Sequence, residues 1–207
     1  VQTTNVQRDW PSGSVRWTRT FRGGQLALLA VSTAFRKRSG TSTQPGLEGT
    51  AAVVSGVSSS SFSPDAQVNL RNGMQVTFRM SSLSQAQISN GSSTNVDQSN
   101  LLGQLAYSFR LPASISRARK QMQSQLTFTR NTNLSCIQRQ GDTTCQSTSD
   151  VRNNAIRGSI RTDVLRTLTG SLEMGYDVND FRALDRKTAN LYLLVTFSLS
   201  LFAGDYR

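Results

Sequence analysis

Few side chains in this chain of 207 residues could take part in bond-breaking chemistry. The sequence contains no histidine, so it can form neither a Ser-His-Asp nor a Cys-His catalytic arrangement, and it offers no imidazole ligand for a metal. One carboxylate pair is conceivable, because Glu173 and Asp177 fall on one face of a predicted strand. Four residues of extended chain would separate them by about 13 Å, too far for joint action on one bond. We therefore expect no enzymatic activity, no cofactor and no metal site.

Two cysteines, Cys136 and Cys145, are the only thiols in the sequence. They bracket residues 137–144 and lie near the facing ends of two predicted neighbouring strands. In a chain of the exported type, this placement predicts a disulfide that closes an external loop. Two unpaired thiols are the alternative.

The chain is basic, with 23 Lys and Arg against 12 Asp and Glu and a formal net charge of +11. Its basic residues are scattered and form no run of five to eight, which argues against a nucleic-acid partner. Anionic lipid headgroups or an anion-preferring passage would also suit this charge. The residues that we expect to face the interior of a barrel are Arg79, Arg110, Arg157, Arg161, Glu173 and Asp177. These side chains could fill a narrow interior by pairing with one another, or favour anions along a water path.

The elements that must position these side chains show the two-residue period of β-strands. Between residues 74 and 80, Met74, Val76, Phe78 and Met80 alternate with polar residues. The same alternation runs through residues 101–111, 121–130, 167–178 and 189–201. Alternation over about ten residues is long for a soluble strand and matches a tilted strand that crosses a membrane.

We predict ten strands, separated by turn sequences. Short turns at residues 22–24 and 71–73 alternate with longer polar stretches at 37–47, 90–98, 137–146 and 179–186, a spacing typical of outer-membrane barrels. The stretch 50–70 is the least regular, because Pro64 could bend or split it. The predicted strands cover about residues 1–9, 14–22, 25–36, 50–70, 74–89, 99–111, 121–136, 147–162, 167–178 and 188–202.

These patterns predict an all-β fold, an antiparallel up-and-down transmembrane β-barrel or part of one, with about ten strands. Residues 1–207 would form a single barrel domain or the C-terminal segment of a larger barrel. The hydrophobic content of 36% is low for a soluble core but sufficient for a barrel with a polar interior. A secreted soluble β-sandwich used for adhesion or binding is the alternative, because its strands would alternate in the same way. The two differ in whether the apolar face contacts lipid or packs in a buried core.

Three strand sequences carry a resemblance to a known family. They are Val-Arg-Trp-Thr-Arg-Thr-Phe at 15–21, Gly-Gln-Leu-Ala-Tyr-Ser-Phe-Arg at 103–110 and Val-Thr-Phe-Ser-Leu-Ser-Leu-Phe at 195–202. Over residues 10–202 the chain resembles the last barrel strands of the type IX secretion translocon (SprA/Sov-like) family. The resemblance implies a wall segment of a large barrel in the outer membrane of a Gram-negative-type bacterium. It also implies outer-membrane lipid, further barrel strands and other secretion-system subunits as partners. Phe202 is followed by five more residues, whereas such barrels usually end on an aromatic residue.

Overall fold

The computed structural model describes residues 4–44, 53–89, 91–110, 121–139, 142–163 and 168–199. Within these ranges the chain forms ten β-strands and one short 3-10 helix, Arg182–Leu184. The strands are β1 (Thr4–Asp9), β2 (Gly13–Thr20), β3 (Leu26–Gln44), β4 (Val53–Leu70), β5 (Met74–Ser89), β6 (Ser92–Arg110), β7 (Gln121–Gln138), β8 (Gln146–Asp163), β9 (Leu168–Phe181) and β10 (Arg186–Leu199).

All ten strands belong to one antiparallel sheet, in which β3 to β10 follow one another in chain order. The prediction of an all-β, antiparallel up-and-down architecture is confirmed. Substantial contacts between strands join only sheet neighbours, so the described residues contain no second layer of the kind a sandwich needs. The sheet is open, because no described residue of β1 or β2 pairs with β10.

The first two strands share one edge of the sheet. Both pair with β3, with Asp9 opposite Arg38 and Gly13 opposite Phe35. They therefore lie end to end and point the same way, and the prediction of two successive antiparallel strands there is wrong. Pro11 separates them because it has no N–H for the ladder. Since β1 and β2 occupy one place, the sheet has nine strand positions.

Several strands are longer than predicted, and their connections are correspondingly shorter. β3 continues to Gln44, and β6 begins at Ser92, beside Gly91 with a φ of 77°. β4 is continuous through Pro64, although its pairing with β5 is interrupted at residues 63–64. The segments that extend beyond the predicted strands are mostly polar on both faces. They therefore lack the alternation of apolar and polar residues that identifies a strand in a sequence.

The pairing register divides the side chains between an apolar face and a polar face. One unbroken row crosses all nine positions of the apolar face: Trp17, Val31, Ala66, Phe78, Gly103, Phe128, Ile156, Tyr176 and Leu191. The next row begins at Arg19 and continues with Leu29, Val68, Val76, Leu105, Leu126, Gly158, Met174 and Leu193. We call this surface the apolar belt.

The described part of the sheet has almost no buried core. Among residues whose exposure is described, only Ala155, Gly170 and Gly175 are buried. Side chains of the belt remain exposed: Phe78 is 44% exposed and Ile156 is 48% exposed. A soluble domain derives its stability from burying such side chains. The belt therefore needs a covering that the sheet itself does not provide.

Candidate functional site

The apolar belt occupies only one end of the long strands. In β6 it extends from Leu101 to Phe109, which at about 3.4 Å per residue is roughly 27 Å along the strand. A strand tilt of about 40° would reduce this to a height of roughly 20 Å, near the apolar band of outer-membrane barrels. At that tilt, the height of the belt would be comparable with the height of that apolar band.

Beyond the belt, the same face becomes polar from β5 to β9, whereas β3 and β4 carry Phe35 and Phe62 there. A row next to the belt contains Ser82, Ser99, Thr132, Arg152 and Asp180. Strands β3 to β8, of 16 to 19 residues each, therefore combine an amphipathic half with a half that is mostly polar on both faces. This second half suits water on both sides.

Cations at the first edge of the sheet lie against aromatic rings. The Arg19 guanidinium is 5.3 Å from the centre of the Phe21 ring, and the Lys37 ammonium is 4.9 Å from the centre of the Trp10 ring. Arg19 shares a face with Val15 and Trp17. The contact with Phe21 gives its charge a favourable partner at an otherwise apolar surface.

The polar face holds all six charged residues that the sequence predicted to point inward: Arg79, Arg110, Arg157, Arg161, Glu173 and Asp177. Arg157 and Asp177 approach to 3.5 Å, an ion pair whose geometry does not make a hydrogen bond. Glu173 instead accepts a hydrogen bond of 3.0 Å from the Tyr192 hydroxyl. Arg110 and Arg161 form no ion pair with any side chain that the structure describes.

Asp65 also lies on the polar face, although the sequence pattern did not predict it there. Its carboxylate lies 3.0 Å from the Arg79 guanidinium, across the β4–β5 pairing. The alternation that indicates this face is present in the sequence, since Asp65, Gln67 and Asn69 alternate with apolar residues. This alternation was not used, because Pro64 could bend or split the predicted strand. Arg16 also lies on the polar face, two strands away from Asp65 in the same row.

An aromatic ring over a glycine joins β9 to β10. Gly175 lies between Arg157 and Tyr192, its partners on the two neighbouring strands. The Tyr192 ring covers Gly175 so closely that a Cβ atom at this position would overlap it. The ring thereby fills the place of the missing side chain while its hydroxyl reaches Glu173. This cluster ties the last strand to the polar face.

Replacing Gly175 with alanine should destabilise the folded chain by about 1–3 kcal/mol, because Tyr192 must leave its position. The matched control is Gly158→Ala on the belt, where an added Cβ would make an ordinary 3.5 Å contact with Met174. Urea titration of the folded protein measures both changes. Equal stabilities of the two variants would show that the ring does not occupy the glycine site.

Cys136 and Cys145 form a disulfide, with their Cα atoms 5.6 Å apart. The sequence predicted this pairing. The bond closes the β7–β8 hairpin at the end of the sheet away from the belt. Ser135 and Thr148 form hydrogen bonds across the same hairpin, next to a register shift between the two strands.

Replacing both cysteines with serine should lower the free energy of unfolding by about 2–3 kcal/mol, the chain-entropy value for so short a loop. Peptide mapping without reduction should recover Cys136 and Cys145 in one linked fragment. Two alkylatable thiols in the folded protein would contradict the pairing.

Amide side chains line a concave hollow of about 530 Å³ on the polar face. Asn100, Asn131, Asn153 and Asn179 lie opposite one another on β6 to β9. The Asn153 amide donates a hydrogen bond to Asn179. The described lining of the hollow carries no charge, which separates it from the charged residues at the level of the belt.

Neither a helical membrane anchor nor a metal cluster appears in the described ranges. No helix there is long and apolar enough to cross a membrane. No group of three or more potential metal ligands occurs there either. Comparisons with protein-family models, with curated proteins and with solved structures found no match to this chain.

Proposed function

We propose that the chain forms part of the membrane-spanning wall of an outer-membrane β-barrel in a Gram-negative-type bacterium and performs no catalysis. The observation that carries the proposal is the single-layer sheet, whose apolar belt crosses all nine strand positions with no core beneath it. The belt would contact lipid, and the polar face would line the interior.

A lipid covering accounts for features that a soluble partner would leave unexplained. The belt crosses every strand position in two continuous rows, as a surface in contact with an apolar phase requires, and from β5 to β9 the same face turns polar beyond it. Internal strands satisfy their backbone N–H and C=O groups by pairing, which a bilayer demands of any spanning structure. A soluble adhesion domain would instead bury the belt against a second layer.

The lengths of the connections suggest an orientation. The turns at residues 22–24 and 71–73 lie at the belt end of the sheet, whereas the Cys136–Cys145 hairpin lies at the opposite, polar end. By the usual habit of bacterial barrels, the short turns face the periplasm and the polar strand halves project outside. The disulfide would then lie in an oxidising environment.

A channel role depends on the charge of the polar face. The described carboxylates at belt level are all engaged: Asp65 with Arg79, Asp177 with Arg157 and Glu173 with Tyr192. Arg110 and Arg161 lie on the same face and pair with no described side chain, so positive charge is in excess. If water fills the interior, this excess should favour anions.

Planar-bilayer recording tests this prediction: any assembly of the chain that encloses a lumen is expected to pass an anion-selective current. Replacing Arg110 and Arg161 with glutamine should reduce the selectivity. Cation-selective current would contradict the inward placement of the arginines. Absence of current would indicate either a sheet that stays open or an interior filled by side chains, as is common in small barrels.

A segment of a protein translocon is the more specific proposal, and it rests on the sequence resemblance together with the open edges of the sheet. The test of the broader proposal is incorporation into lipid vesicles. We expect strands β2 to β10 to become resistant to trypsin, with cleavage confined to the connections. Complete digestion of vesicle-bound protein would contradict a membrane-spanning wall.

A further inference from the structure

The edge of β10 that faces away from β9 pairs with no residue that the structure describes, and this free edge lacks the features that discourage strand pairing. β10 runs for 14 residues without proline or glycine, and no charged residue occurs between Thr188 and Leu199. Its belt residues are more open than those of inner strands, with Leu191 81% and Leu193 67% exposed. A long, regular, uncharged edge of this kind is a template for another strand.

The opposite edge of the sheet is built differently. It is divided between β1 and β2 by Pro11, and its two short strands have six and eight residues. It also carries charged side chains, among them Arg8, Asp9, Arg16 and Arg19. Proline, charge and short strands are the means by which proteins protect an edge against pairing.

Strand direction argues against pairing between these two edges. With nine positions in an antiparallel sheet, β2 and β10 point the same way. Joining them would create one parallel seam, which is slightly less stable per residue than an antiparallel pair. An antiparallel completion of the sheet requires an odd number of additional strands.

We infer that the free edge of β10 binds an additional antiparallel β-strand, supplied by a polypeptide segment other than β1 and β2. This inference rests on the proposed function, since a bilayer would leave the unpaired backbone groups of β10 without partners. The incoming strand should place apolar residues level with Leu191, Leu193, Val195 and Phe197, and polar residues between them. Such a strand would continue both the belt and the polar face.

Cross-linking in the full chain, folded into lipid vesicles, tests whether the sheet closes on itself. Thr196→Cys would be combined in turn with Gln7→Cys, Ser14→Cys and Thr18→Cys and treated with a short bismaleimide. The positive control pairs Thr196→Cys with Ser171→Cys, because these two residues lie directly opposite one another. We expect a cross-link in the control and only background in the three test pairs. Cross-linking of a test pair as efficiently as the control would overturn the inference.

A peptide with the sequence of residues 168–181 serves as the probe for strand addition, because β9 is the natural antiparallel neighbour of β10. Amide hydrogen exchange would be followed in the folded chain with and without this peptide. The β10 amides that point away from β9 should slow about tenfold, the scale set by one backbone hydrogen bond, while β9 amides stay unchanged. A peptide of the same composition without alternation is the control.

Two outcomes of the exchange experiment would overturn the inference: full protection of those β10 amides before peptide is added, or no slowing with saturating peptide. Failure of the proposed function looks different. If the proposed function is wrong, the chain will not bind to vesicles or become resistant to trypsin there. If only the edge inference is wrong, the chain will bind and resist trypsin but give one of the two contradicting exchange results.

Discussion

Transfer from detergent or lipid into plain buffer is expected to abolish the cooperative tertiary fold. The reason is the near absence of a core, since Ala155, Gly170 and Gly175 are the only buried residues among those with described exposure. Hydrophobic burial is the dominant favourable term in folding, and this sheet obtains little of it from its own residues. The belt must therefore receive its covering from an apolar phase.

Far-ultraviolet circular dichroism and sedimentation, before and after detergent removal, measure this effect. We expect a monodisperse β-rich species in detergent and aggregated material in buffer, with no cooperative thermal transition. The Cys136–Cys145 disulfide should persist in both states, so its presence controls for chemical damage. A monomer that stays folded and melts cooperatively in buffer would support a soluble β-protein instead.

An arginine placed in the belt should cost up to about 2–4 kcal/mol of stability in lipid, the value for a cation near the bilayer midplane, and less toward either border of the belt. Phe78 is the position of choice because it lies in the row from Trp17 to Leu191 and is partnered by Ala66 and Gly103. Its replacement by Arg removes an apolar contact with lipid and introduces a charge there.

The matched control is Thr77→Arg, one residue away on the polar face. Thr77 is partnered by Gln67 and Gln104, so the added charge would meet amides and water. Denaturant titration of vesicle-inserted protein should show a large loss for Phe78→Arg and a loss below about 1 kcal/mol for Thr77→Arg. Similar losses at both positions would indicate that neither face contacts lipid.

Strands with one apolar face could be identified from sequence because their side chains meet two different environments. The alternation through Leu101–Phe109 and through Leu191–Leu199 predicted which residues share a face, and the pairing register confirms it. The same reasoning put Arg79 and Arg157 on the polar face. No partner needs to be known for this, since the two-residue period fixes the face.

Other features depend on contacts between strands, which a local pattern does not encode. The end-to-end placement of β1 and β2 follows from their common pairing with β3, although Pro11 marks the break. The Asp65–Arg79 pair and the Tyr192 ring over Gly175 both require the register between neighbouring strands. The polar halves of the long strands escaped prediction because both of their faces suit water.

The most direct test of the central claim is the environment of consecutive side chains along β7, from Gln125 to Thr129. Single cysteines at these five positions would carry a fluorophore, in chain folded into vesicles, with the native disulfide kept intact. Lipid-attached quenchers should quench positions 126 and 128, on the face of Leu126 and Phe128, while a water-soluble quencher reaches positions 125, 127 and 129. That alternation is the result we predict. Uniform quenching by the water-soluble reagent at all five positions would contradict a lipid-facing belt.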